Sequence, residues 1–250
     1  DEQTPSCLKQ LPLEVTKRVS VVDHTTVFRG VTDKLPTFNS LSIETVLWRI
    51  PGLANSFIYF NDDCFLIKAV QPDQFFKDGK VVLRGTFRPL MKPRLEKKLK
   101  RSLGLGRPSR RTLQSEAAIL VGLREQYLSV YHIPHPMRVS TFHDYFSAHP
   151  ELMRRNASFP LRQVTQLWPI GLANHLEIKH NCAEISATPT SLYLDSTASE
   201  QDIDVLLQIE SRPDCRFLCV QSLDKASETF VNLWASWMDR VIGRSPKEPI

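Results

Sequence analysis

No run of apolar residues in this 250-residue chain approaches the length of a membrane-spanning helix, so no segment of it reads as a bilayer span. Cysteines are too few and too scattered for a disulfide framework. There are five, Cys7, Cys64, Cys182, Cys215 and Cys219, an odd number, and that usage points to a reducing compartment. Cys215 and Cys219 have no second Cys/His pair at zinc-ligand spacing, so both are expected in the core, on one face of a strand. Internal repeats and low-complexity tails are absent. So are the phosphate loop of nucleotide hydrolases, the dinucleotide-binding glycine fingerprint after a strand, and the Gly-x-Ser-x-Gly elbow of serine hydrolases. The pair Gly104 and Gly106 follows basic residues rather than a strand.

What remains is a chain with 42% hydrophobic and 24% charged residues, the balance of a globular α/β protein. Its net charge of +5 suits a partner bearing phosphate or carboxylate: a nucleotide-sugar, a polyanionic polymer or an anionic membrane surface. Nine of the basic residues, against one acid, crowd into residues 92–111, which read as a basic loop or lid. No aromatic residues interleave with them and no recognition motif accompanies them, so a nucleic-acid partner is not expected.

Apolar periodicity predicts strands over residues 18–23, 57–60, 81–83, 183–186, 192–194 and 217–220. Helices are expected over 40–50, 112–127, 139–148, 161–176 and 200–208, and a final one carries Phe230, Trp234, Trp237 and Val241 on one stripe. Alternating strands and helices imply an α/β domain: Rossmann-like, a largely parallel sheet flanked by helices, with a helical insertion in the middle. Ligands in such sheets bind at the carboxyl ends of strands.

Asn61, Asp62 and Asp63 end the strand 57–60, and Cys64 and Phe65 return to apolar character. Adjacent carboxylates at the end of a buried strand repel and resist desolvation, so a divalent metal or a phosphate-bearing substrate would account for them. Asn and Asp also suit a plain turn between strands. Glu44 sits on the apolar stripe of the preceding helix, as a boundary residue or a carboxylate aimed at the site. His132 and His135 flank a proline-stiffened loop, which favours a proton-transferring histidine over a zinc pair. Arg162, near an expected helix start, could hold a phosphate bidentately. These residue types leave two classes open: a metal-assisted transferase acting on a phosphorylated donor, and a binding module.

The run from Leu35 to Ser40, followed by Ile43-Glu44, Arg49-Ile50, Gly52-Leu53 and Phe57 to Phe65, resembles the second conserved region of the Stealth family. That family comprises bacterial capsular and exopolysaccharide sugar-phosphate transferases and the animal lysosomal-enzyme N-acetylglucosamine-1-phosphotransferase. Arg110-Arg111-Thr112, His132-x-Pro134-His135 and Arg162, thirty residues after His132, are similar to its third region. Arg216 to Val220, with Gln221 to Asp224 behind them, resemble a degraded fourth region in which Asp224 stands in for a lost acid. The first region is not found. With the Asp1 start, this marks residues 1–250 as a single Stealth-type catalytic domain lacking its N-terminal conserved region, a fragment of a longer enzyme or a divergent member.

The resemblance implies a capsular polysaccharide phosphotransferase. It would move sugar-1-phosphate from a nucleotide-sugar, a UDP-sugar by expectation, to a hydroxyl of a growing glycan. It also implies Glu44, Asp63, His132 and Arg162 as the catalytic set, and Asn39, Asn61, Arg110, Arg111 and His135 as substrate-binding residues. Asp62 and Asp63 become the ligands of Mg²⁺ or Mn²⁺. The implied location is cytoplasmic, in peripheral contact with the inner membrane or the capsule machinery. The alternatives are a metal-dependent glycosyltransferase and a non-catalytic glycan- or phosphate-binding remnant.

Overall fold

A computed structural model describes residues 6–91, 109–194 and 212–243. Most of the basic segment 92–111 and the helix expected over 200–208 lie outside the described residues. The chain divides into two compact units. The first takes Asp1–Phe57, Pro89–Tyr127 and Met137–His180; the second takes Ile58–Arg88, Leu128–Pro136 and Asn181–Ile250.

Helices build the first unit: α1 (Leu13–Thr16), α2 (His24–Val27), α3 (Ser40–Val46), α4 (Arg110–Leu120), α5 (Val139–Ala148), α6 (Pro150–Ala157) and α7 (Pro169–Lys179). Residues 18–23 do not form the expected strand; they run without regular structure, and the Asp23 carboxylate caps α2 by accepting from the Thr25 amide. Val19 and Val21 stay exposed, so their alternation has no sheet to join. Asn39 rather than Ser40 caps α3, its side chain accepting from Leu41 N. Beyond α3 a 3₁₀ turn, Leu47–Arg49, runs up to Pro51 and Gly52, and Gly52 supplies the positive φ of 74° that ends the segment. Val27, Phe28, Val31, Val46 and Ala157 form the apolar cluster that joins α2, α3 and α6.

Nearly every residue of α7 is buried from Pro169 to Glu177, so it is a core helix without a solvent stripe. His175 within it bonds the Gly171 carbonyl at 2.6 Å, and burial lowers its pKa from 6.5 to about 4. The unfolded chain therefore binds a proton that the folded chain resists. Stability is complete above pH 6.5 and falls as the pH drops from 6.5 towards 4, by roughly 3 kcal/mol in the limit. His175→Gln should flatten that dependence in urea unfolding; an identical acid-side slope in the variant would sink the assignment.

Most of the strand residues lie in the second unit. β1 (Ser56–Tyr59), β2 (Cys64–Leu66), β3 (Phe76–Lys77), β4 (Lys80–Pro89), β5 (Gln126–Val130), β6 (His135–Arg138), β7 (Ala183–Ser186), β8 (Ser191–Leu194) and β9 (Phe217–Val220) fall into three small sheets. Their orders are β1-β6, β2-β9-β8 and β3-β4-β5 with β7 added to β4. Asp78 and Gly79, both at positive φ, make the two-residue turn between β3 and β4. β2 and β9 run antiparallel, as do β3 and β4; β8 runs parallel to β9 and β7 to β4. The expected single, largely parallel Rossmann-like sheet is thus corrected to a mixed α/β fold. A tight hairpin supplies the antiparallel pair β3–β4, and a long-range pairing supplies β2–β9, neither of which a wholly parallel sheet has. Residues 112–127 also divide. The helix stops at Leu120, Gly122 turns at φ 93°, and Tyr127 lies buried in β5.

All four residues of β9 are buried, because the sheet is covered on both faces. Leu218 and Val220 pack with Phe230, Trp234 and Trp237 of α8 (Glu228–Val241), so the aromatic stripe is core as its spacing suggests. On the opposite face Phe217 packs against Phe75 and Ile133, which brings the β5–β6 loop over the sheet.

Candidate functional site

The second unit assembles a site around Asp63. Cys64 N donates to Asn61 O at 3.2 Å, which closes a turn with Asp62 and Asp63 at its tip. The turn expected from Asn and Asp is therefore real, and β1 before it is half exposed rather than buried. The next residue, Cys64, pairs with Cys219 across β2 and β9, and Val220 N donates to Asp63 O at 2.9 Å. Sheet pairing thus fixes the backbone at Asp63 and just after it.

Its carboxylate is held too. Gln221 Nε2 donates to Asp63 Oδ2 at 2.6 Å, and Tyr193 Oη donates to Gln221 Oε1 at 2.8 Å. Tyr193 stands in register with Cys219, so Cys64, Cys219 and Tyr193 form a row across three strands. Their side chains share one face, since registered neighbours in a sheet point the same way. The His132 ring lies against Tyr193, with centroids 5.0 Å apart. One carboxylate oxygen of Asp63, one ring nitrogen of His132 and Cys219 Sγ lie within 4.8 Å of one another. The neighbouring Cys64 thiol, burial and the Asp63 charge together push the Cys219 thiol well above its ordinary pKa.

Of the expected residues, Asn61, Asp62, Asp63, His132 and His135 stand in this unit. His135 is buried at the start of β6, and exposed Asp62 is not one of the close donors around Asp63. Asp224 lies exposed in the turn Leu223–Lys225; the side chain that hydrogen-bonds the Asp63 carboxylate is Gln221. Cys219 and Gln221 were not anticipated. Alternation along residues 217–220 puts Cys219 on the face opposite Leu218 and Val220, but strand register alone sets what it meets there.

Asn39, Glu44, Arg110, Arg111 and Arg162 stand in the first unit. Glu44 is buried on α3. Asn39 is wholly buried, its amide donating to Phe159 O and to Gln166 Oε1. Arg110 opens α4 and lies over the Trp168 ring, 5.6 Å from its centroid, beside exposed Arg111. Arg162 is not at a helix start, because the expected helix 161–176 begins only at Pro169. Its guanidinium instead donates to Ser40 Oγ at 2.7 Å, at the first residue of α3.

A mixed α/β chain that holds a carboxylate beside an imidazole has the makings of a transferase or a cation-binding protein. Comparison with known sequences is more specific. Residues 1–83 match the family described as Stealth protein CR2, conserved region 2, so this chain carries that region. It is 45% identical over 78 residues to an exopolysaccharide phosphotransferase of Lactiplantibacillus plantarum, covering 31% of this chain and 21% of that one. A Streptomyces coelicolor exopolysaccharide phosphotransferase is 32% identical over 165 residues, or 65% of this chain and 16% of the relative. The human N-acetylglucosamine-1-phosphotransferase subunits alpha/beta match at 48% over 63 residues, 25% of this chain and 5% of theirs. The matches thus span about a fifth or less of these relatives' lengths.

The Mg²⁺ or Mn²⁺ site expected from Asp62 and Asp63 calls for oxygen donors. Among the described residues the close donors are one carboxylate, one imidazole and one thiol. That set does not fit an ion that prefers oxygen.

Proposed function

We propose that this chain forms part of a sugar-phosphate transferase, moving sugar-1-phosphate from a nucleotide-sugar to a glycan hydroxyl in capsular or exopolysaccharide synthesis. The observation that carries the reading is Asp63, pinned by Gln221 and Val220 N, beside His132 in a chain bearing the Stealth second region. The acceptor oxygen attacks the phosphorus attached to the sugar, the pyrophosphate bond breaks, and the nucleoside monophosphate leaves. His132 takes the hydroxyl proton, and the Asp63 carboxylate stabilises the imidazolium so formed. Asn61 and His135 are assigned to substrate, as are Arg110 and Arg111; Asn39, whose amide is spent on Phe159, Gln166 and the α3 cap, is assigned to holding the start of that helix. Arg162 is assigned to the transferred phosphate, where a planar fork of donors suits its oxygens. Glu44 is the rival base. Electrostatic stabilisation of the transferring group supplies most of the rate, as in other phosphoryl transfers. We place the enzyme in the cytoplasm, working with the capsule machinery at the inner membrane face.

Phosphorus NMR of the full-length natural protein with a UDP-sugar and its glycan acceptor tests this. A new phosphodiester resonance with release of UMP is the expected result. Release of UDP instead identifies a glycosyltransferase, and an unconsumed donor identifies a binding protein.

A further inference from the structure

Donor chemistry at Asp63 suits a different ion from the one the family resemblance implies. Thiol sulfur and imidazole nitrogen are the ligands of zinc-type ions, and a carboxylate oxygen completes three-ligand sites that keep one position open. Asp63, His132 and Cys219 come from a turn, a loop and a strand, and their ligand atoms lie within 4.8 Å of one another. Residues behind them fix two of the three. Gln221 orients the Asp63 carboxylate and is itself held by Tyr193 Oη, whose ring also packs on His132. Such outer partners orient ligands in built metal sites and contribute to their affinity. Cys219 is wholly buried in the central strand of its sheet, so its sulfur has little freedom to move away.

From this we propose that Asp63, His132 and Cys219 bind a thiophilic divalent cation of the zinc class. The ion takes the place of the Cys219 thiol proton, which leaves to solvent. A bound ion takes one imidazole nitrogen and leaves the ring proton on the other, so His132 can no longer accept the acceptor's proton and transfer is inhibited. That inhibition rests on the transfer reading; the binding does not.

The test titrates Co²⁺ into the reduced, metal-free full-length natural chain without substrate. Binding should produce a thiolate-to-metal charge-transfer band in the near ultraviolet, which Zn²⁺ abolishes by displacement and excess Mg²⁺ leaves unchanged. Cys219→Ser should remove the band, while Cys182→Ser, outside the cluster, should keep it. Because Cys219 is buried, His132→Ala at a half-exposed position provides a second check, and it should weaken binding at least tenfold. Gln221→Ala should weaken it about 10–100-fold. No charge-transfer band in the parent chain, a band that persists in Cys219→Ser, or unchanged affinity in His132→Ala overturns the site. UMP release in the metal-free protein answers the separate question of transfer.

Discussion

His132→Ala in the full-length protein should lower turnover by about 10²–10⁴-fold, the range spanned by a lost general base. A hydroxyl is a poor nucleophile until its proton has somewhere to go, and His132 is the imidazole within reach of the Asp63 carboxylate. Loss of the base should fall on kcat, since binding the donor does not need it. The acid-side fall of the pH–rate profile, where a protonated imidazole can no longer accept, should vanish with it. Asp63→Asn keeps the shape and a hydrogen bond to Gln221 but removes the charge that stabilises the imidazolium. It should cost less than His132→Ala if that stabilisation is the only role of Asp63, and more if Asp63 also holds substrate. Turnover in His132→Ala close to that of the parent would move the base to Glu44.

Gln166→Leu should cost about 3–5 kcal/mol of stability, more than an ordinary point substitution. Gln166 is wholly buried and uses both ends of its amide. Its Oε1 accepts from Asn39 Nδ2 at 2.8 Å and from Gln163 N at 2.9 Å, while its Nε2 donates to Asn156 O at 2.9 Å and Ser42 Oγ at 3.2 Å. Asn156 extends the network, donating to Thr45 Oγ1 at 2.7 Å and accepting from Leu167 N. Leucine is apolar and close in volume, so the substitution strips these partners without opening a large cavity. What it leaves is buried donors and acceptors with fewer partners, in a network whose members strengthen one another. The urea midpoint should drop with little change in slope. A loss below about 1 kcal/mol would mean that water or a repacked side chain replaces the amide. The same network bears on Asn39: its amide is committed to Phe159 and Gln166, and its oxygen caps α3. Asn39→Ala should therefore lower the same midpoint before it affects donor affinity.

Much of the local structure was legible. The final helix, the strands at 183–186 and 217–220 and the helix Val139–Ala148 follow apolar spacing and end where caps or turns end them. The N-terminal start of α3 was placed to within a residue. Longer-range inferences failed for identifiable reasons. Residues 18–23 alternate like a strand, yet a strand needs a partner edge, and among the described residues they have none. Residues 161–168 carry a helical apolar pattern, but Gln166 N closes only a short turn onto Gln163 O, and Leu167 N donates to the Asn156 side chain instead of to a carbonyl of its own segment. Tyr127 matches the face of α4 in spacing, although Gly122 has already turned the chain towards β5.

The candidate site divides in the same way. Residue types and order alone placed Asp63 in a polar turn, His132 in a proline-stiffened loop, and both in a Stealth-like pattern that the match over residues 1–83 bears out for the second region. Those properties are local: turn chemistry, side-chain chemistry and spacing along the chain. That Gln221 rather than Asp224 reaches Asp63, and that Cys219 completes a donor set with His132, depends on the register of β2, β9 and β8. A shift of one residue would turn Cys219 to the opposite face. Register is set by the packing of Leu218 and Val220 under α8 and of Phe217 under Ile133, contacts between residues far apart in the chain. Folding alone brings those contacts together, and with them the donor chemistry of the site.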